Sequence, residues 1–162
     1  AGKDEKLTGK PVEVGQVARD FTALKRDLTD YEFFKETEGK VVVISSVPSL
    51  DTGVCEFQTI RFNEETSNLS DEVAIVTVSC DLPFAQKRFC GANGIDRIEV
   101  VSDHRNLSFG DAYGFTIENV RLLARGVVVI DKDRIVRHVE YVPAASQHPD
   151  YDKALEAIKA LV

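Results

Sequence analysis

The feature that most constrains this chain is a pair of short, apolar, β-branched runs, VVVISSV at residues 41–47 and VAIVTVS at 73–79. Runs of this length and make-up read as strands in a sheet that is covered on both faces. Between them, residues 54–65 read as a helix, which Asp51 or Thr52 can cap because both side chains accept from free backbone N–H groups. A second helix follows the second run. Pro83 fits its first turn and Gly91 its end.

The remaining segments complete an alternating pattern. Short extended pieces are expected at 11–14 and 21–24, a shorter strand at 98–102, and a helix at 106–113 that stops at Gly114. GVVVID (126–131) and RIVRHVEYV (134–142) flank Asp131-Lys132-Asp133 and read as a β-hairpin. Tyr151, Ala154, Leu155, Ile158 and Leu161 recur at helical spacing behind a cap at Asp150. Alternating β and α elements with an appended antiparallel hairpin predict an α/β fold, a mixed β-sheet flanked by helices with an N-terminal β extension. A thioredoxin-like fold is compatible with this order, although periodicity alone does not select it. At 162 residues, 43% of them apolar, the chain is expected to form a single domain over 1–162 with one interior.

Charge and apolar run length exclude several classes of partner. The net charge of −7 argues against nucleic acid, whose binders carry basic patches. No apolar run reaches the ~18 residues of a membrane-spanning helix, and the polar first ten residues do not resemble a signal peptide. Three cysteines, Cys55, Cys80 and Cys90, are too few for a secreted disulfide scaffold. They suit a reducing compartment, so the cytoplasm is expected, with the periplasm left open. There is no CxxC, and His104, His138 and His148 show no zinc spacing with any cysteine, so no metal is expected.

Cys55 carries the chemistry. It follows a buried strand and, with Thr52 as cap, is the third residue of the next helix. Free N–H groups and the positive end of the helix dipole favour a thiolate there. Pro48 holds Val47 extended and stiffens the bend. Ionisation is not sufficient for fast chemistry, however. An ordinary thiol is a few per cent ionised at pH 7, and full ionisation gains only about 2 kcal/mol in rate terms. The rest requires donors that receive charge on a leaving oxygen, and Thr52, backbone N–H groups and an arginine are suitable types. Arg125 stands at the entry to a predicted strand, although taken alone it reads as an ordinary exposed charge. Cys80, directly after a buried strand, reads as a small buried hydrophobe. Cys90 remains open between structural and reactive, because nearby Lys87 and Arg88 favour its thiolate while a helix C-terminus opposes it.

Pro48, Thr52 and Cys55 fit P-x-x-x-T-x-x-C, and the full string PSLDTGVC (48–55) resembles the bacterial thiol peroxidase branch of the atypical two-cysteine peroxiredoxins. FTALKRDL (21–28), DLPFAQKRFCG (81–91) and LLARGVVVID (122–131) agree with the same branch, so the resemblance spans nearly the whole chain. It implies a thioredoxin-like fold and a peroxidase with Cys55 as the peroxide-attacking cysteine and Cys90 as the resolving one. It further implies that Thr52 and Arg125 hold thiolate and peroxide, and that Pro48 shields the pocket. Hydrogen peroxide and organic hydroperoxides would be the substrates, thioredoxin the reductant and a homodimer the assembly. No metal, haem or flavin cofactor would be required. A disulfide needs Cα atoms within ~7 Å, so Cys55 and Cys90 are expected to lie farther apart when reduced and to meet by local unfolding. Two other readings compete on the residues alone. A cysteine hydrolase would pair Cys55 with a histidine, and a non-catalytic binding module would leave PSLDTGVC unexplained.

Overall fold

Valine and isoleucine dominate three adjacent strands of the main sheet and place branched side chains on both of its faces. The computed structural model describes residues 6–65 and 69–162; residues 1–5 of the polar N-terminal arm lie outside it. In chain order the elements are β1 (Leu7–Thr8), β2 (Thr22–Leu24), β3 (Asp30–Glu32), α1 (Phe33–Glu36), β4 (Val41–Ser46), α2 (Gly53–Glu65), β5 (Val73–Ser79) and α3 (Pro83–Asn93). They continue with β6 (Glu99–Ser102), α4 (Ser108–Tyr113), β7 (Thr116–Ile117), β8 (Leu122–Leu123), β9 (Gly126–Ile130), β10 (Val136–Tyr141) and α5 (Tyr151–Lys159).

The main sheet has seven strands in the order β10-β9-β4-β5-β6-β2-β3. β4, β5 and β6 run parallel, joined by α2 and α3, while β9 and β2 add antiparallel at either side. Alternate residues feed two core layers. Val42 and Ile44 face a layer that includes Phe33 of α1 and Phe109 and Tyr113 of α4. Val41 and Val43 face a layer built from α2, α3 and α5, and both Cys55 and Cys90 lie in it. The mixed sheet with helices on both faces is the expected architecture. α5 docks through Tyr151, Ala154, Leu155 and Ile158, and a side chain of the size of Leu or Ile contributes about 1.5–3 kcal/mol when buried. Asp150 caps it by accepting from Lys153 N–H at 3.1 Å.

Four local expectations change. Residues 11–14 are not a strand: Pro11 has no N–H to offer a ladder, and Val12 N–H is donated to the Tyr141 hydroxyl at 2.9 Å. The N-terminal extension is instead β1, paired with β7 in a small sheet with β8. β3 was not expected because acidic residues flank its one buried side chain, Tyr31. α3 continues past Gly91 to Asn93 and ends at Gly94, whose left-handed φ of 63° turns its N–H to Cys90 O. α4 begins at Ser108, since Leu107 is itself left-handed with φ 52°.

Candidate active site

The loop at 47–52 leaves β4 at its C-terminal end and enters α2, as the sequence requires of a strand-to-helix turn. Thr52, not Asp51, supplies the cap: its Oγ1 accepts Cys55 N–H at 3.4 Å and donates to Ser49 O at 3.3 Å. Cys55 is the third residue of α2 and its side chain is fully buried. Pro48 is buried in the bend beside it.

Arg125 reaches the sulfur from the opposite direction. β9 pairs antiparallel with β4, with Gly126 opposite Ser46, so the residue before β9 stands at the end of β4 where α2 begins. Gly126 is required there, since a Cβ would lie 2.2 Å from Glu140 O. Arg125 is only 1% exposed, which corrects the reading of an exposed charge. Its Nη2 donates to Cys55 Sγ at 3.1 Å and to Ala145 O at 2.6 Å, and its Nη1 donates to Gln58 Oε1 at 3.0 Å. Gln58, fully buried on the Cys55 face of α2, donates in turn to Ser45 Oγ at 2.7 Å. The guanidinium fork is thus fixed in plane by a helix amide and a loop carbonyl while one arm addresses the sulfur. Arg125 Nε–H is buried and has no hydrogen-bond partner among the described residues.

The segment before α5 packs against α2. His148 Nδ1 lies 3.0 Å from Tyr151 Oη, and Phe57 packs edge-on to His148 at 5.2 Å. Burial pushes the Tyr151 phenol up to about 12 against the opposing pull of Arg125 and Arg61, so it stays protonated at neutral pH.

Of the residues singled out in the sequence, Cys55, Thr52 and Arg125 are hydrogen-bonded to one another in a chain, and Pro48 is in the same loop. Cys90 is on the same face of the sheet, on α3, with different neighbours. Burial raises its thiol, the charge and hydrogen bond of Arg26 draw it down, and Glu99 raises it. All three cysteines are free thiols. Cys80 is only half-buried, packed against the edge of the other core layer rather than enclosed in it, and desolvation, reinforced by Asp103, pushes its thiol up to about 12. No histidine pairs with Cys55 among the described residues, and no group of metal-ligating side chains occurs among them. Gln58 and Ala145 escaped the sequence reading. Gln58 left one signal, its i+3 spacing from Cys55, which puts a polar side chain on the buried face of the helix.

An arginine-held thiol in the first helical turn beyond a central strand defines a thiol enzyme on an α/β scaffold. The profile of the Redoxin family matches residues 13–155, and the chain belongs to that family. Its relatives include "Thiol peroxidase" of Bacillus subtilis, 53% identical over 96% of this chain and 92% of the relative. "Thiol peroxidase" of Halalkalibacterium halodurans is 54% identical over 98% and 95%. A peroxiredoxin-like protein from Aquifex aeolicus superposes with a TM-score of 0.89 at 37% identity, covering 98% of this chain and 92% of its own. Thiol peroxidase from Chromobacterium violaceum superposes at 0.84 with 15% identity, over 96% and 91%, and shows the fold alone. The fold is therefore thioredoxin-like and the enzyme is a peroxiredoxin-type thiol peroxidase, which removes the hydrolase and binding-module readings. No helix among the described residues is long and apolar enough to cross a membrane.

Proposed function

We infer that the protein reduces hydrogen peroxide and organic hydroperoxides with Cys55 as nucleophile. The observation that carries this reading is the 3.1 Å hydrogen bond from buried Arg125 to Cys55 Sγ. A guanidinium there complements negative charge on sulfur, and its unpartnered Nε–H is a donor available to an oxygen. The Cys55 thiolate attacks one peroxide oxygen; the S–O bond forms as O–O breaks, and the departing oxygen takes a proton to leave as water or alcohol. Cys55 becomes a sulfenic acid. The Cys90 thiolate attacks that sulfur, expelling hydroxide as water, and an intramolecular disulfide results. Thioredoxin's dithiol then reduces it by exchange. Thr52 orients the first turn of α2, and Pro48 excludes water from the sulfur.

The separate surroundings of Cys55 and Cys90 support a disulfide that forms only after local opening of helix ends. The reading takes the chain as a single domain, which its length supports, in the cytoplasm, which its three cysteines suit, and as a homodimer, which the sequence resemblance supports. Peptide mapping after one equivalent of peroxide tests the assignment. A Cys55–Cys90 link with free Cys80 is expected. A Cys80-containing disulfide as main product would overturn the role of Cys90, and unoxidised Cys55 would overturn the nucleophile.

A further inference from the structure

The Cys55 loop is tied to the start of α3 through a side chain that the chemistry above does not use. Asp81 Oδ1 accepts from Ser49 Oγ, and Oδ2 accepts from Leu50 N–H, each at 2.8 Å. Oδ2 also accepts from Ser79 Oγ at 2.8 Å. Ser79 Oγ in turn accepts from Gln86 Nε2 of α3 at 3.0 Å, so the carboxylate is tied to β5 and α3, and the main-chain Asp81 O accepts from Ser102 Oγ at 2.6 Å, which ties the residue's backbone to β6. On its other side the loop runs on to the sulfur. Ser49 O accepts from Thr52 N–H and Oγ1, both at 3.3 Å, and Thr52 Oγ1 accepts from Cys55 N–H at 3.4 Å. Asp81 therefore stands three hydrogen-bonded links from Cys55 and two from the helix that carries Cys90.

We propose that Asp81 is a positioning residue: it latches the Cys55 loop in the peroxide-reacting arrangement, and its bonds to Ser49 and Leu50 are released when the Cys55–Cys90 disulfide forms. The inference rests on the proposed roles of those two cysteines. The loop at 47–52 contains no helix or strand; Val47 N–H ties its start to Val78 O at 3.1 Å, and the charge-assisted bonds to Asp81 tie its middle, so losing them shifts its open and closed populations. A weakened latch acts oppositely on the two steps. Cys55 spends less time aligned with Arg125, so its oxidation slows. The opened loop is more populated, so capture by Cys90 gains over a second oxidation to sulfinic acid. A side chain that merely supported the fold would not shift that partition.

Asp81→Ala and Asp81→Asn, each alone and with Cys90→Ser, separate the steps. With Cys90→Ser, rapid acid quench and intact mass read Cys55 oxidation alone. Asp81→Ala is expected to slow it about ten-fold or more, the population effect of losing a charge-assisted hydrogen bond, and Asp81→Asn less. With Cys90 present and excess peroxide, the ratio of sulfinic Cys55 to disulfide should fall several-fold. Should Asp81→Ala fail to fold, Asp81→Asn, which keeps one acceptor oxygen, provides the same two readings. An unchanged oxidation rate would overturn the latch. So would a slowed rate with an unchanged ratio, since the carboxylate would then be a static support. A wild-type protein that forms no Cys55–Cys90 disulfide would instead overturn the underlying assignment, and the release step with it.

Discussion

Replacing Arg125 by Lys keeps the positive charge and removes the fork. One guanidinium serves Cys55 Sγ, Gln58 Oε1 and Ala145 O at 3.1, 3.0 and 2.6 Å. A lysine ammonium is a single nitrogen and cannot reach three acceptors set around a plane. Held by the stronger oxygen acceptors, it would leave the sulfur. Losing one charge-assisted hydrogen bond at the reacting atom costs about 1.5–3 kcal/mol, which corresponds to a fall of roughly ten- to 150-fold in rate. The assay is the second-order rate of Cys55 oxidation by hydrogen peroxide in fully reduced protein, followed by rapid quench and intact mass. Thermal unfolding measured on the same samples separates loss of chemistry from loss of fold. A folded Arg125→Lys protein that reacted within about three-fold of wild type would refute the reasoning, because charge alone would then account for the rate.

Gln58→Leu removes the acceptor that aligns Arg125 and the donor to buried Ser45, so Cys55 oxidation should slow about ten-fold and the melting temperature should fall, since two buried polar groups lose partners. Burial raises Asp103 to about 6, against the N–H groups of Gly110 and Phe109, which pull it down. Its folded value lies above its unfolded one, so the stabilisation from its protonated form is complete below about pH 4 and is lost as pH rises through about 6. Equilibrium denaturation should show that loss, roughly 3 kcal/mol, and Asp103→Asn should flatten the profile in that window. Cys80, pushed up to about 12, is almost wholly protonated at pH 8. Iodoacetamide should label it in native protein at least about a hundred-fold more slowly than it labels a free thiol, and rapid native labelling would contradict its raised thiol.

Much of the fold was legible because it is written in local patterns. Continuous β-branched runs can be satisfied only inside a covered sheet, and α5 shows its buried face in the spacing of Tyr151, Ala154, Leu155 and Ile158. The elements that escaped are short or depend on distant partners. β1 is two residues long and is defined by pairing with β7, more than a hundred residues away. The end of α3 was misplaced because a glycine stops a helix only where it takes the left-handed conformation, and Gly94 does so while Gly91 does not.

The site divides along the same line. Cys55 in the first turn of α2, Thr52 as its cap and Pro48 in the bend are neighbours in sequence, so short-range geometry determines their relation and the sequence alone pointed to a reactive thiol. Arg125 read alone as a surface charge. It acts on a sulfur 70 residues away because the antiparallel register of β9 on β4 brings Gly126 opposite Ser46, and it is held by Gln58, 67 residues away. Asp81 reaches Ser49 and Leu50 through the parallel pairing of β4 and β5. Strand register follows from how two core layers fill, a property of the whole sheet, and no local propensity carries it.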